Sequence, residues 1–337
     1  AGKTVDNVEE LEIITYDGVR MRVGQTSEEA FQAILHQGGR KAQIYSGLKA
    51  LVASHAARIR EKFPKIPRRV SGYNLDQLLD ENGFHVARAL VGSEGTCVQI
   101  LEAKVRLIPN PTVRVLLVLG YPDIFRAADD VPLIMEHKPI GLEGLDHHFV
   151  GNMKKRQIHL KELAMLPKGN GWLIVEFGAN QLEVAEHQAN QLVQKLKGQS
   201  KAPTIQIFKD AAQQRCIWSI RESSFGATVF VPEARDKFSG FEDAAVPPAK
   251  LGAYLRDLEK LYQKYDYDAI TYGHFGDGCI HSRISFDLKS EAGIHQYRKF
   301  LDEGSDLVIR YGGSLSGSMA TDKTGARIFT RCLGRSL

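Results

Sequence analysis

The chain has 337 residues, 43% of them apolar and 25% charged, with 31 Gly and 12 Pro, which excludes a disordered polypeptide, a collagen-like repeat and a disulfide-stapled miniprotein. Lys and Arg outnumber Asp and Glu by 44 to 40, and a balance of +4 gives no ground for a nucleic-acid partner. Cys97, Cys216, Cys279 and Cys332 are scattered along the sequence. Zinc ribbons and iron–sulfur clusters need several thiols a few residues apart, so no iron–sulfur cluster is expected here.

No apolar run approaches the roughly 20 residues that span a bilayer, and the longest candidate, Val113–Tyr121, reads as a strand. The sequence opens at Ala1-Gly2-Lys3 with no starting Met and runs straight into a strand-like segment, the pattern of a piece cut or trimmed from something longer. With no signal peptide in view, the expected location is the cytoplasm.

In chain order, Leu11–Tyr16 and Val19–Val23 flank Asp17-Gly18, a turn dipeptide that predicts a hairpin. Ser27–Phe63 reads as one helix, capped by Ser27 and ended by Pro64 and Pro67. A Gly-rich turn at Val91–Cys97 precedes a strand at Val98–Ile108, and Pro109-Asn110-Pro111 marks the expected domain boundary, giving domains 1–112 and 113–337. Beyond it the pattern alternates: strand Val113–Gly120, helix Phe125–His137, strand Trp172–Phe177, helix Gln181–Lys197, strand Thr204–Phe208, helix Lys209–Phe230. A helix at Pro248–Tyr265, strands at Ala269–His274 and Cys279–Asp287 and a helix at Ser290–Tyr311 complete an α/β or α+β layer pattern.

Three places carry chemistry. In Tyr272-Gly-His-Phe-Gly-Asp-Gly-Cys-Ile-His281 two histidines bracket a Gly-Asp-Gly turn between strands, which lets both imidazoles converge. Two imidazoles suit a borderline divalent metal, with Asp277 as turn former or as the group orienting a ring N–H; the alternative is a hairpin with two incidental histidines. Gly92-Ser-Glu-Gly-Thr96 offers backbone N–H groups and hydroxyls to a pyrophosphate or a ring edge, or is an ordinary glycine turn. Arg221 lies on a mostly apolar helix face, where a guanidinium can grip a carboxylate through two parallel bonds, or else it pairs with Glu222 at a solvated edge. His147-His148 beside Asp146 reads as a surface pair, since neighbours on a helix point apart.

Together, segments Ala1–Glu12, Arg69–Leu75, Val91–Leu107, Trp218–Glu222, Glu242–Pro248, Tyr272–His281 and Gly312–Gly317 resemble the FAD-linked oxidases of the vanillyl-alcohol oxidase superfamily. The resemblance is to the branch of D-lactate and D-2-hydroxyglutarate dehydrogenases and the glycolate oxidase flavin subunit. The spelling of residues 273–281, with Cys279 where relatives usually have Asn, looks most like the flavin part of bacterial proteins fused to an iron–sulfur domain.

The resemblance implies an α+β fold. Residues 1–112 would be the C-terminal part of a PCMH-type FAD-binding domain without its first subdomain, and residues 113–337 a ferredoxin-like cap that supplies the substrate site. By the same resemblance Ser71, Gly72, Tyr73, Gly92, Ser93, Glu94, Gly95 and Thr96 would lie along FAD. His274 and His281 would ligate a divalent metal, zinc by type, and Arg221 would hold the substrate carboxylate. The family's third ligand and its catalytic base are a consecutive Glu and His after a segment like Gly312–Gly317, where this chain has Ser318 and Met319. With one base restored, codons for 318–337 can be chosen that spell Glu-His-Gly-Asp-Gly and a family-like continuation, so 318–337 is expected to be a frameshifted tail.

The implied reaction is oxidation of a D-2-hydroxy acid to the 2-oxo acid, with electrons passing to an iron–sulfur domain or subunit, at the inner face of the membrane or in the cytoplasm. Without a pyrophosphate loop, a third ligand and the base, this chain is expected to be impaired and to retain little FAD. A non-catalytic remnant that binds metal or a small carboxylate is the alternative.

Overall fold

In a computed structural model the described residues are 2–223, Thr228 and 235–316. The expected tail at 318–337, with Ser318 and Met319, lies outside the described residues. Packing separates two units: residues up to Pro64 with Val70–Pro109, and Lys65–Arg69 with 110–316. The division falls at Pro109/Asn110, slightly earlier than the sequence boundary at 112/113, and the second unit also takes up the short segment Lys65–Arg69.

The first unit begins with α1 (Thr4–Asn7), β1 (Val8–Thr15) and β2 (Arg20–Gly24). The hairpin turns where Asp17-Gly18 placed it, and its register sets Leu11 opposite Val23 and Ile13 opposite Met21, so one face is apolar and buried. The opposite face carries Glu10, Arg22 and Glu102 as ion pairs near 3.1 Å, too exposed to add much stability. β3 (Val98–Val105) pairs with β1 to give an antiparallel sheet of order β2-β1-β3.

Ser27 caps the next segment as expected, its Oγ accepting from Ala30 N at 3.2 Å. The single helix expected over Ser27–Phe63 is instead two, α2 (Glu28–Gln37) and α3 (Gly39–Lys62). The break is at Gly38-Gly39, with φ of +69° and +73°, where the missing Cβ removes the cost of leaving the right-handed region. Phe31, Tyr45, Val52 and Ile59 from these helices meet Leu11, Ile13 and Phe84 in the core, below α4 (Val86–Leu90).

The second unit runs β4 (Val113–Tyr121), α5 (Ile124–Asp129), α6 (Val131–Glu136), β5 (Gly141–Asp146), α7 (His147–Lys155), α8 (Leu160–Leu163), β6 (Gly171–Ala179), α9 (Leu182–Lys197) and β7 (Thr204–Phe208). α10 (Ala211–Glu222), β8 (Ala244–Ala245), α11 (Leu251–Lys264), β9 (Ala269–Gly273), β10 (Cys279–Ile284) and α12 (Glu291–Arg310) follow. The antiparallel sheet has order β7-β4-β6-β5-β9-β10-β8. Its first four strands, ordered β7-β4-β6-β5, are a ferredoxin-like β-α-β-β-α-β unit with α7 and α8 inserted between β5 and β6, and β9, β10 and β8 extend it from the β5 edge. The fold is α+β with a ferredoxin-like second unit, as expected.

One sheet face, with Leu116, Val118, Leu145, Ile174 and Tyr272, is covered by α7, α8 and α10 through Phe149, Met153, Leu163, Ile217 and Ile220. Neighbouring residues Leu117, Leu119 and Val175 alternate to the other face, where α9 packs on β4 and β6. The sequence pattern missed β5, although it sits at the middle of the sheet. Gly141-Leu-Glu-Gly-Leu-Asp146 has two glycines and no β-branched residue, so its strand state comes from pairing on both sides with β6 and β9.

Asp146 ends β5 and fastens two elements, its carboxylate accepting from Phe149 N at the start of α7 and from Thr271 N on β9, both at 2.7 Å. Burial pushes this carboxyl up to about 7 although the backbone N–H groups pull it down. A folded-state value above the unfolded one, about 3.9, means that the native state binds the extra proton between the two. Its contribution to stability is therefore full below about pH 4 and is lost as pH rises toward 7, by up to roughly 1.4 kcal/mol per pH unit. Urea melts between pH 4.5 and 7.5 are expected to show Asp146→Asn flattening this slope.

Candidate active site

The two histidines singled out in the sequence are brought together by the β9–β10 hairpin. Its turn is one 3-10 step, Phe275–Asp277, closed by Asp277 N and Cys279 N donating to His274 O at 3.0 and 3.1 Å. Register sets His281 opposite Tyr272, and His274 follows directly on Gly273 at the end of β9. The rings lie 5.1 Å apart between centroids and nearly perpendicular, at 80°.

Each ring is held from behind by a carboxylate that the sequence reading did not assign. Glu143 Oε1 lies 2.7 Å from His274 Nδ1, and Asp243 Oδ1 lies 2.6 Å from His281 Nδ1. An ionised carboxylate only accepts, so Nδ1 is the donor in both rings, and the tautomer this selects for a neutral ring has its lone pair on Nε2. The β5–β9 pairing, Gly144 opposite Gly273 and Leu145 opposite Tyr272, carries Glu143 into the row of His274. Gly144 is required there, because a Cβ would come within 2.3 Å of the Phe275 ring. Asp243 sits at φ +62°, a left-handed conformation that Asp tolerates better than most residues, between buried Phe241 and Ala244. Backbone held in that region marks functional segments often enough to point at Asp243 independently.

Glu143 has a second partner. Its Oε2 accepts from Arg221 Nε at 2.8 Å, and the Arg221 guanidinium lies 5.1 Å from the centre of the Tyr272 ring. Arg221 occupies the last turn of α10, which is capped by Asp210 at its start and anchored in the core by Ile217 and Ile220. Burial alone would raise the Glu143 carboxyl, but the His274 hydrogen bond and the Arg221 charge outweigh it and hold the group below its ordinary range. The expected Arg221 is thus in the site, paired with Glu143 rather than with Glu222.

The geometry decides two of the sequence readings. Asp277 does not orient a ring N–H: its carboxylate accepts from Arg68 Nε at 2.8 Å, and Glu143 and Asp243 take the orienting role. His147 and His148 are the exposed pair expected, but they do not point apart: they stand at the N-terminal end of α7 with ring centroids 3.9 Å apart. Arg235 gives its guanidinium to Asp266 at 3.0 Å. It lines a separate groove of about 1060 Å³ with Lys264, Tyr265 and Lys299, which contains neither histidine of the site.

A family model described as FAD linked oxidases, C-terminal domain, matches residues 110–318, more than half of the sequence and nearly all of the second unit. The chain belongs to this FAD-linked oxidase family. D-2-hydroxyglutarate dehydrogenase of Pseudomonas putida is 26% identical over 324 residues, covering 94% of this chain and 32% of that protein. D-lactate dehydrogenase of Anaerostipes hadrus is 26% identical over 245 residues (70% of this chain, 50% of the relative), and glycolate oxidase subunit GlcD of Bacillus subtilis 24% over 240 (71% and 49%). The chain therefore spans about a third to a half of the length of these relatives. The solved structure of p-cresol methylhydroxylase shares the fold, with a TM-score of 0.57 at 11% identity over 97% of this chain and 60% of that one.

FAD is the cofactor that the family implies, and the first unit offers residues of fitting type. The segments at 71–74 and 91–96 meet there: Tyr73 Oη and Thr96 Oγ1 are 2.8 Å apart, and Asn74 Nδ2 donates to Val91 O at 2.8 Å. Gly72, Gly92, Glu94 and Gly95 all have positive φ, between +49° and +81°, in a loop that also holds the buried hydroxyls of Ser71 and Ser93. Ser93 N and Thr96 N are spent on Leu90 O and Ser93 O, at 3.1 and 2.9 Å, so the fit to a dinucleotide rests on the glycines and hydroxyls of these segments.

The donor chemistry of His274 and His281 suits a divalent metal, since a ligating imidazole characteristically gives its other N–H to a carboxylate. Among the described residues, however, no group of three or more His, Cys, Asp or Glu is arranged to hold a metal ion, so the structure offers two imidazoles and no complete site.

The cysteine next to this hairpin turn packs into the second unit. Cys279 is fully buried against Ile66 and Ala245, and burial pushes its thiol well above the ordinary range, whereas Cys97 is exposed. Thiol labelling of the native protein by a maleimide, followed by peptide mapping, is expected to modify Cys97 and spare Cys279 until urea is added.

Proposed function

We propose that the site of the second unit binds a D-2-hydroxy acid of the lactate, glycolate or 2-hydroxyglutarate type and takes part in its FAD-dependent oxidation to the 2-oxo acid. The observation that carries this reading is Glu143, whose two oxygens hold a carboxylate-binding group, Arg221, and a hydroxyl-binding group, His274, at 2.8 and 2.7 Å. The names of the relatives support the substrate class.

In this reading the Arg221 guanidinium, with Nε engaged by Glu143, binds the substrate carboxylate through its Nη atoms. The α-hydroxyl then falls to the imidazoles, whose Nε2 lone pairs accept its O–H hydrogen bond. Fixing carboxylate and hydroxyl together orients the α C–H bond, which is the larger part of what a protein contributes to such an oxidation. Residues 71–73 and 92–96 would hold FAD, which would supply the two-electron acceptor. A divalent metal, zinc by donor type, would instead take the Nε2 lone pairs of His274 and His281, replacing that hydrogen bond, and would supply Lewis-acid polarisation of the hydroxyl. Electrons would leave to an iron–sulfur domain or subunit, in the cytoplasm or at the inner face of the membrane; among the described residues no helix is long and apolar enough to cross one.

Titration of the protein with D-lactate, D-2-hydroxyglutarate and glycolate, followed by calorimetry and then by an artificial electron acceptor in the presence of added FAD, tests the reading. Binding of D-2-hydroxy acids in preference to their L enantiomers, with weak dye reduction that depends on FAD, is expected; absence of binding by all three acids contradicts it. A carboxylate-binding module without redox chemistry is a second reading, favoured by the lack of a complete metal site among the described residues, and it expects binding with no dye reduction at all.

A further inference from the structure

Glu143 is an odd neighbour for an anion-binding arginine. Its carboxylate lies 2.8 Å from Arg221 Nε, where it opposes any carboxylate that Arg221 binds and partly offsets the guanidinium. A site built only for anion affinity is better off without it. Its position is nonetheless specific: it is mostly buried on β5, in line with His274, and the glycine that follows it is the one residue that lets β5 approach Phe275.

We infer that Glu143 is a positioning residue that couples the carboxylate end of the site to its hydroxyl end. One oxygen fixes the rotation of the guanidinium by taking Nε, and the other fixes the ring and the tautomer of His274 by taking Nδ1–H. Because both bonds come from one rigid carboxylate, the distance between the Nη atoms and Nε2 is set independently of the flexible arginine stem. The carboxylate and the hydroxyl of a 2-hydroxy acid, on adjacent carbons, are then met at the same time. The inference rests on the functional reading above and specifies how the site recognises the 2-hydroxy acid pattern rather than carboxylates in general.

The test compares D-lactate with propionate, which has the same carbon skeleton and carboxylate but no hydroxyl, by calorimetry on the 337-residue chain. The electrostatic effect of Glu143 is common to both and cancels in the ratio of dissociation constants. With wild type, D-lactate is expected to bind about tenfold tighter than propionate, as one added hydrogen bond in a preorganised site allows. In Glu143→Gln, whose amide can accept from only one of the two partners, the ratio is expected to fall to about 1–3, with propionate binding unchanged or tighter because the repulsion is gone. Glu143→Asp, which keeps the charge but cannot span both partners, is expected to lose the ratio without tightening propionate.

A wild-type ratio kept in Glu143→Gln overturns the inference while leaving the functional reading intact. A ratio near 1 in the wild type overturns both. A purely structural role for Glu143 predicts equal loss of both ligands together with a lower melting temperature, and that outcome also overturns the inference.

Discussion

Replacement of Arg221 by Met is expected to weaken D-lactate binding by about 100-fold and, separately, to destabilise the fold by roughly 3–5 kcal/mol. The first figure is the value of charge-assisted hydrogen bonds to a carboxylate, about 1.5–3 kcal/mol. The second follows because Arg221 and Glu143 are both mostly buried, with side-chain exposures of 14% and 13%, and the substitution leaves a buried carboxylate without its cation. The two effects separate in the double variant Arg221→Met, Glu143→Gln. Its stability in urea is expected to recover most of the loss, because the uncompensated charge is gone, while D-lactate binding stays weak. Arg221→Lys is expected to fall between, since an ammonium replaces a planar fork by a point charge. D-lactate affinity unchanged in Arg221→Met would remove Arg221 from the substrate site.

The second large effect is expected at Gly144, which makes no hydrogen bond to substrate in any reading of the site. A Cβ there meets Phe275 ring atoms at 2.3 to 2.5 Å, and Phe275 is fully buried. The ring has no room to yield without moving the backbone, so Gly144→Ala is expected to cost roughly 1–3 kcal/mol in a urea melt. Because Phe275 follows His274 in the turn, the same shift pulls the imidazole away from Glu143. Loss of hydroxyl recognition is therefore expected even where the variant remains folded: the preference for D-lactate over propionate falls. Adding Phe275→Leu, which gives the new methyl space, is expected to restore part of both. A Gly144→Ala variant of wild-type stability would contradict the close packing of β5 on the hairpin turn.

Much of this fold is legible in the sequence wherever one local signal dominates. Asp17-Gly18 names its hairpin, Thr204–Phe208 is read to the residue, and the Gly-Asp-Gly turn brings His274 and His281 together as its spacing implies. The sequence is opaque where pairing overrides local preference. β5 reads as a glycine-containing loop because its strand state comes from β6 and β9 on either side, and with β5 hidden no local pattern could place Glu143 beside a histidine 131 residues later. Asp243 lies inside one of the segments that carried the family resemblance, but its role depends on a left-handed backbone that the letters do not announce. Asp277, nearest in sequence, was the natural partner for an imidazole; Arg68, distant in sequence, claims it instead. The Gly38-Gly39 break is the opposite case, visible in the letters and outvoted by the apolar periodicity around it.

In the proposed function two imidazoles, each held at Nδ1 by a carboxylate, present Nε2 to one 2-hydroxy acid bound by Arg221. Long-range proton–nitrogen spectra of the imidazoles, assigned with His274→Asn and His281→Asn, test it most directly. Both rings are expected as Nδ1–H tautomers with unprotonated Nε2, and both Nε2 signals are expected to move on addition of D-lactate but not of propionate. Rings carrying the proton on Nε2, or Nε2 signals indifferent to D-lactate at saturation, would contradict the account.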